Sequence, residues 1–252
     1  MTELYLQEDE HDLALAAELQ AALLPRTCPT DCPHQAAAAR NRMCRRLGGD
    51  FYDFIRLNDD QIAMVVGDVV GHGVRAALLM AQLTAFFRLR VRELTRPVEL
   101  VAAINRMLID LGDKVGVVLP CSLFYSLIDA PSGICFYVNA GHPKPYLCET
   151  GDGRTHPMGS HDFLLGVEEF APDEMCHTFV PGERMVIYTD GVMDTVNASD
   201  ERFGTRRLRD LVVAHAHDSC DELADAVFDA VAGFREGGPM TDDETIVVLD
   251  RV

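Results

Sequence analysis

Apolar residues recur along this chain at two spacings, one helical and one strand-like. Leu15, Leu19 and Leu23 fall at i, i+4 and i+8. That spacing predicts an amphipathic helix over Asp12–Leu24, stopped by Pro25. Such a helix is marginal alone in water. Its apolar stripe must dock on its own domain or on a second copy of the chain. From Arg26 to Leu47 the periodicity fades. Phe54–Leu57 and Ile62–Val66 then flank the turn-rich Asn58-Asp59-Asp60-Gln61 and predict an antiparallel hairpin. After Gly71-His72-Gly73 a helix is expected to about Arg92, with Ala76, Met80, Leu83 and Phe87 as its buried stripe. A second opens at Pro97, where proline is tolerated, and carries Leu100, Ile104, Met107 and Leu111. Strands are expected at Leu123–Ile128, Ile134–Asn139, Pro145–Cys148 and Met185–Thr189. Two helices, Arg206–His215 and Asp221–Phe234, precede a closing strand, Thr245–Leu249. Strands in hairpins and helices in pairs predict an α+β fold with antiparallel sheets, not an alternating βαβ chain.

Composition narrows the class. The chain has 252 residues, 48% of them hydrophobic, enough for one large domain or two small ones with a sizeable core. A formal net charge of -18 argues against general binding to nucleic-acid phosphates. The apolar runs are too short to span a bilayer, and Met1–Asp12 is acidic, unlike a signal peptide. The expected location is cytoplasmic, with the eight cysteines reduced. Cys28 and Cys32, near His34, lack a fourth ligand and regular zinc spacing. Cys121, Cys135 and Cys176 lie in apolar runs and read as core.

The candidate chemistry lies in aspartates at strand ends. Asp50 stands in Gly48-Gly49-Asp50-Phe51-Tyr52-Asp53, and Asp68 in Gly67-Asp68-Val69-Val70-Gly71-His72-Gly73. Asp190 stands in Tyr188-Thr189-Asp190-Gly191-Val192, and Asp242 in Thr241-Asp242-Asp243-Glu244-Thr245. The hairpin would bring Asp50 and Asp53 alongside Asp68. Four carboxylates in one small site repel severely unless positive charge is added. Two divalent cations would supply it, and all-oxygen ligands suit Mg2+ or Mn2+ better than zinc. Such a pair can activate a water and clamp phosphoryl oxygens. Any single aspartate at a turn is more often structural.

These words, with Ala76-Ala77-Leu78-Leu79-Met80 and Asn139-Ala140-Gly141-His142-Pro143, occur in an order that resembles one family. It is the SpoIIE/RsbU branch of the metal-dependent (PPM, protein phosphatase 2C-like) serine/threonine phosphatases. The resemblance covers roughly Leu47 to the C-terminus. It implies a phosphatase domain over 47–252, after an N-terminal helix and linker over 1–46. The implied fold is an αββα sandwich of two antiparallel sheets flanked by paired helices. The implied cofactors are two Mn2+ or Mg2+ ions. Asp68 would bridge them and Val69 would offer its backbone carbonyl to one. Asp50 would serve one metal, Asp190 and Asp242 the other, with Asp243 as an alternative to Asp242. Asp53 stands as a further ligand or a turn cap.

The sequence departs from the branch at Val70, often serine, and at Asp194, often glutamate. His72 is a candidate general acid, with helix-start hydrogen bonding as the blander reading; His142, in a tight Gly-His-Pro turn, reads as structural. No arginine is evident for phosphate. The implied substrate is a phosphoserine on a STAS-type anti-sigma antagonist. The phrase Ala17–Pro25 resembles a connecting helix implicated in homodimer contact and switching in this branch. The rival reading is a catalytically weak phosphoprotein-binding module. A two-metal hydrolase of nucleotides is a third, without a P-loop to support it.

Overall fold

The computed structural model describes residues 2–25, 32–149, 151, 153–159 and 163–252, with 2–9 described by backbone alone. Helix α1 (Thr2–Leu23) leads into strand β1 (Gln35–Arg42), then the hairpin β2 (Phe51–Arg56) and β3 (Gln61–Val69). The helix pair α2 (Val74–Arg90) and α3 (Pro97–Val115) follows. Next come β4 (Cys121–Asp129), β5 (Ile134–Ala140), β6 (Tyr146–Glu149), β7 (Thr155–Pro157), β8 (Met175–Thr178) and β9 (Glu183–Tyr188). The chain closes with α4 (Asp190–Asp194), α5 (Gly204–Ala214), α6 (Cys220–Phe234) and β10 (Glu244–Arg251).

Two antiparallel sheets stack. One runs β1-β10-β9-β6-β7 and the other β2-β3-β4-β5-β8. Strand alternation gives each sheet two apolar faces, so three core layers form. Between the sheets lie Tyr52, Met64, Val66 and Phe124 from one, and Met185, Ile187, Val247 and Leu249 from the other. On the outer face of the hairpin sheet, Phe51, Ala63, Val65 and Tyr125 pack against Met80, Leu83, Leu100 and Ile104. On the other outer face, Val186, Tyr188, Ile246 and Val248 meet Leu208, Val212, Leu223 and Val227 of α5 and α6. Each fully buried side chain of this kind contributes roughly 1.5–3 kcal/mol. This is the expected αββα sandwich, with the expected α2 stripe buried; on α3 Leu100 and Ile104 are buried, but Met107 and Leu111 are half-buried and Leu108 takes the core position.

Several expectations need correction. Part of the stretch read as linker, Gln35–Arg42, is strand β1, paired with β10 from Gln35↔Arg251 to Arg42↔Glu244. Its alanines are weak strand formers, so local pattern did not mark it. Helix α1 begins at Thr2 instead of Asp12. Its three leucines do not form one seam: Leu15 and Leu19 are 49% and 63% exposed, while Leu23 packs on the core. Cys176 is exposed on strand β8 at the edge of its sheet. Cys32 is buried, and Cys28 lies outside the described residues.

Candidate metal centre

Asp50 and Asp68 meet because of the hairpin. The register pairs Phe51 with Gly67, which sets Asp50 beside Asp68 at the strand ends. Both follow the parity of Tyr52 and Val66, so both side chains belong to the layer between the sheets. Asp53 is three residues from Asp50 and therefore on the opposite face. There it accepts from Arg88 of α2 at 2.6 Å and from the Phe54 amide at 2.9 Å. It is an anchor for α2, not a neighbour of Asp68.

Two threonines of the other sheet hold Asp50. Thr189 and Thr245 are adjacent across β9 and β10, where the Thr189 amide donates to the Thr245 carbonyl. Their hydroxyls both donate to Asp50 Oδ2, at 2.8 and 2.5 Å. Asp50 is 1% exposed. It joins the two sheets where the apolar layer ends. Sequence reading had named both threonines only as letters of motifs. The signal was available in strand phase, since Thr189 shares a face with Met185 and Ile187.

Asp242 and Asp243 are neighbours with different tasks. Asp243 is buried and accepts from the Cys44 and Gly49 amides, each at 2.7 Å. It pins the loop that delivers Asp50. A side chain at Gly191 would collide with the Asp243 carbonyl, and one at Gly49 would come within 2.5 Å of the Val69 carbonyl. These two glycines allow the three loops to close up. Asp242 is exposed, and its charge acts on Asp68 and Asp190. Its Oδ1 accepts from the Asp243 amide at 2.9 Å.

Charge shows that the set converges. Burial, followed by the charge of Asp68, pushes the Asp50 carboxyl well above its ordinary range. Burial and the charges of Asp190, Asp242 and Asp243 push Asp68 up to about 7, although a hydrogen bond with Asp50 opposes this. Asp190 is raised by burial and then by Asp242. Asp242 is raised by burial, against an amide from Asp243 and the nearby His72 charge. Two charges about 4 Å apart at an effective dielectric near 20 interact by about 4 kcal/mol. A cation among these carboxylates would favour their charged forms and oppose these shifts.

The cleft above these groups encloses about 670 Å³. Asp68, Asp190 and Ser122 contribute its polar wall, and Val70, Phe163, Leu164 and Met193 its apolar one. No lysine or arginine is among its described lining residues. Among the described residues, no three acidic, histidine or cysteine side chains close around a single point. The donor set, all carboxylate and carbonyl oxygen, suits magnesium or manganese, which take oxygen ligands and keep several waters. His72 is exposed near Asp242 and makes no side-chain hydrogen bond to the helix start among the described residues.

Gln20 is a polar residue that sequence reading missed. It is 5% exposed on α1. Its amide donates to the Gly48 carbonyl at 2.7 Å and accepts from the Gly48 amide at 3.1 Å. The N-terminal helix thus grips the loop that carries Asp50.

The fold and motifs match known proteins. A family model described as stage II sporulation protein E (SpoIIE) matches residues 58–252. The chain belongs to the SpoIIE family. The family is one of PPM-type serine phosphatases. Asp50 lies upstream of the matched stretch, whereas Asp68, Asp190 and Asp242 lie within it. The chain is 27% identical to Protein IcfG of Synechocystis over 95% of its length and 41% of that protein's. It is 26% identical to phosphoserine phosphatase RsbP of Bacillus subtilis over 81% of its length and 49% of that protein's. The chain thus spans less than half the length of each of these two relatives. The SiaA-PP2C domain of Pseudomonas aeruginosa superposes with a TM-score of 0.85 at 20% identity, covering 98% of both chains, which shows the shared fold.

Proposed function

We propose that this chain is a metal-dependent phosphoprotein phosphatase that hydrolyses phosphoserine. The observation that carries the reading is the convergence of Asp50, Asp68, Asp190 and Asp242, whose charges act on one another, beside a cleft with no lysine or arginine among its described lining residues. SpoIIE membership supports the same conclusion. Asp68 and Asp50 would hold one Mn2+ or Mg2+ with the Val69 carbonyl, and Asp68, Asp190 and Asp242 the second. When bound, such a pair supplies positive charge at phosphoryl oxygens and lowers the pKa of the attacking water. The chain's own residues do the placing. Thr189 and Thr245 hold Asp50, Asp243 holds its loop, and the apolar wall limits water around the phosphoryl group. Phosphate-monoester hydrolysis needs charge neutralisation and in-line positioning more than a protein nucleophile.

The partner we assign is a phosphorylated STAS-type protein, as the motif resemblance implies, acting in the cytoplasm. Among the described residues no helix is long and apolar enough to cross a membrane. Exposed Leu15 and Leu19 support a homodimer through α1. Leu19→Glu is then expected to halve the solution mass by light scattering, and an unchanged mass rejects that contact.

The deciding assay is manganese-dependent hydrolysis of an aryl phosphate and of a phosphoserine peptide. Wild type turns both over, and Asp68→Asn does not. Metal binding without turnover on either compound would sink the enzyme reading and leave a phosphoprotein-binding module.

A further inference from the structure

Ser122 and His142 form a pair at the cleft that none of the roles above uses. The β3–β4 register places Ser122 directly opposite Asp68, on the same sheet face. Side chains so paired stand about 5 Å apart at Cβ. Ser122 is 8% exposed, and that remaining surface lines the cleft. Its Oγ is 2.9 Å from Nδ1 of His142. The ring of His142 is wholly buried, and its backbone amide donates to Asn139 Oδ1 at 2.9 Å. The histidine is therefore fixed at both backbone and ring.

Burial pushes the His142 pKa down to about 3, so the ring is neutral at ordinary pH. It neither carries charge to a phosphate nor acts as an acid there. A neutral imidazole has one N–H. Nε2 of His142 is buried with no hydrogen-bond partner among the described residues. A proton on Nε2 would leave an orphaned buried donor, which folded proteins rarely tolerate; under-used acceptors are commoner. The proton on Nδ1 instead donates to Ser122 Oγ. A hydroxyl has a single hydrogen, and that hydrogen is then left to face the cleft. With no lysine or arginine among the described residues that line the cleft, it is a scarce donor there.

We propose that Ser122 is a phosphate-contacting residue, its hydroxyl hydrogen directed at a phosphoryl oxygen beside Asp68, and that His142 is the positioning residue that directs it. The proposal rests on the phosphatase reading. Its test uses binding instead of turnover, so the two can fail separately.

The experiment is calorimetric titration of the manganese-loaded full chain with inorganic phosphate. Ser122→Ala should weaken phosphate about tenfold, as expected for a lost hydrogen bond to a charged group, with manganese affinity unchanged. His142→Asn, whose amide nitrogen can replace Nδ1, should bind phosphate like wild type. His142→Leu should lose about as much as Ser122→Ala, and the double variant no more than either, because His142 acts only through Ser122. Thermal melting checks that each variant folds. If His142→Leu does not, Ser122→Ala and His142→Asn decide. Equal phosphate affinity in Ser122→Ala and wild type overturns the proposal. So do losses that add in the double variant, a tenfold loss in His142→Asn, or a manganese-loaded wild type that binds no phosphate.

Discussion

Asp50, on the hairpin side of the centre, is buried with two threonine hydroxyls on one oxygen; Asp242, on the closing-strand side, stands exposed. The hairpin side is built like a core. Its carboxylates are held by strand register, by opposite-sheet threonines and by a loop pinned through Asp243. The other side is short helix and loop, where Asp190 opens a five-residue helix. A buried half can hold a preset geometry, while an open half can admit ion, water and substrate. Stability and chemistry are therefore expected to separate between neighbouring residues.

The largest effect should come from Asp68, which faces both halves. Asp68→Asn is expected to lower kcat/KM by at least about 10³-fold, several kcal/mol of transition-state stabilisation. Asp242→Asn should cost less, and steady-state kinetics in saturating manganese would reverse the ranking if the open half dominated. Next is the contrast between Asp243 and Asp242. Asp243→Ala leaves the Cys44 and Gly49 amides without their acceptor and should cost roughly 2–4 kcal/mol in urea unfolding. Asp242→Ala should leave the metal-free midpoint unchanged or higher, since its carboxylate is disfavoured there. Equal losses in the two variants would erase the distinction.

The pH dependence gives a smaller signal whose sign is fixed. Asp68 titrates near 7 when folded and near its ordinary carboxylate value when unfolded. Between about pH 4 and 7 the folded chain binds more protons, so this group's contribution to stability falls as pH rises. Melting in chelator should therefore show Asp68→Asn losing part of the wild type's decline over that window. With manganese present the trend should invert, because metal binding releases those protons. A variant and wild type with parallel melting curves in chelator would contradict the assigned shift. The smallest effect expected is from Gln20→Ala. It removes two hydrogen bonds to Gly48, costing about 1–2 kcal/mol. It should also weaken manganese binding by loosening the loop ahead of Asp50, which a titration would detect.

Much of this molecule was legible in its sequence. The buried stripes of α2 and α3, the β2–β3 hairpin and the closing strand follow from short-range apolar periodicity, which depends on neighbours a few residues apart. The motif words likewise marked Asp50, Asp68, Asp190 and Asp242 as candidates. Strand β1 was not legible, because an alanine-rich segment becomes a strand only by pairing with β10 at the far end of the chain. Asp53 was misleading for a related reason: three residues along a strand reverse the face, and Arg88 of α2 waits on that side.

The sequence by itself determined the residue chemistry, the order of elements and the likeness to one family. Only the tertiary structure decided what surrounds each carboxylate. Asp242 and Asp243 are adjacent and chemically identical, and their difference arises from what surrounds each. Two amides from a loop almost two hundred residues earlier capture one, and the other is left exposed. Hydrogen bonding and burial act through space, so roles set by them are not written in local order.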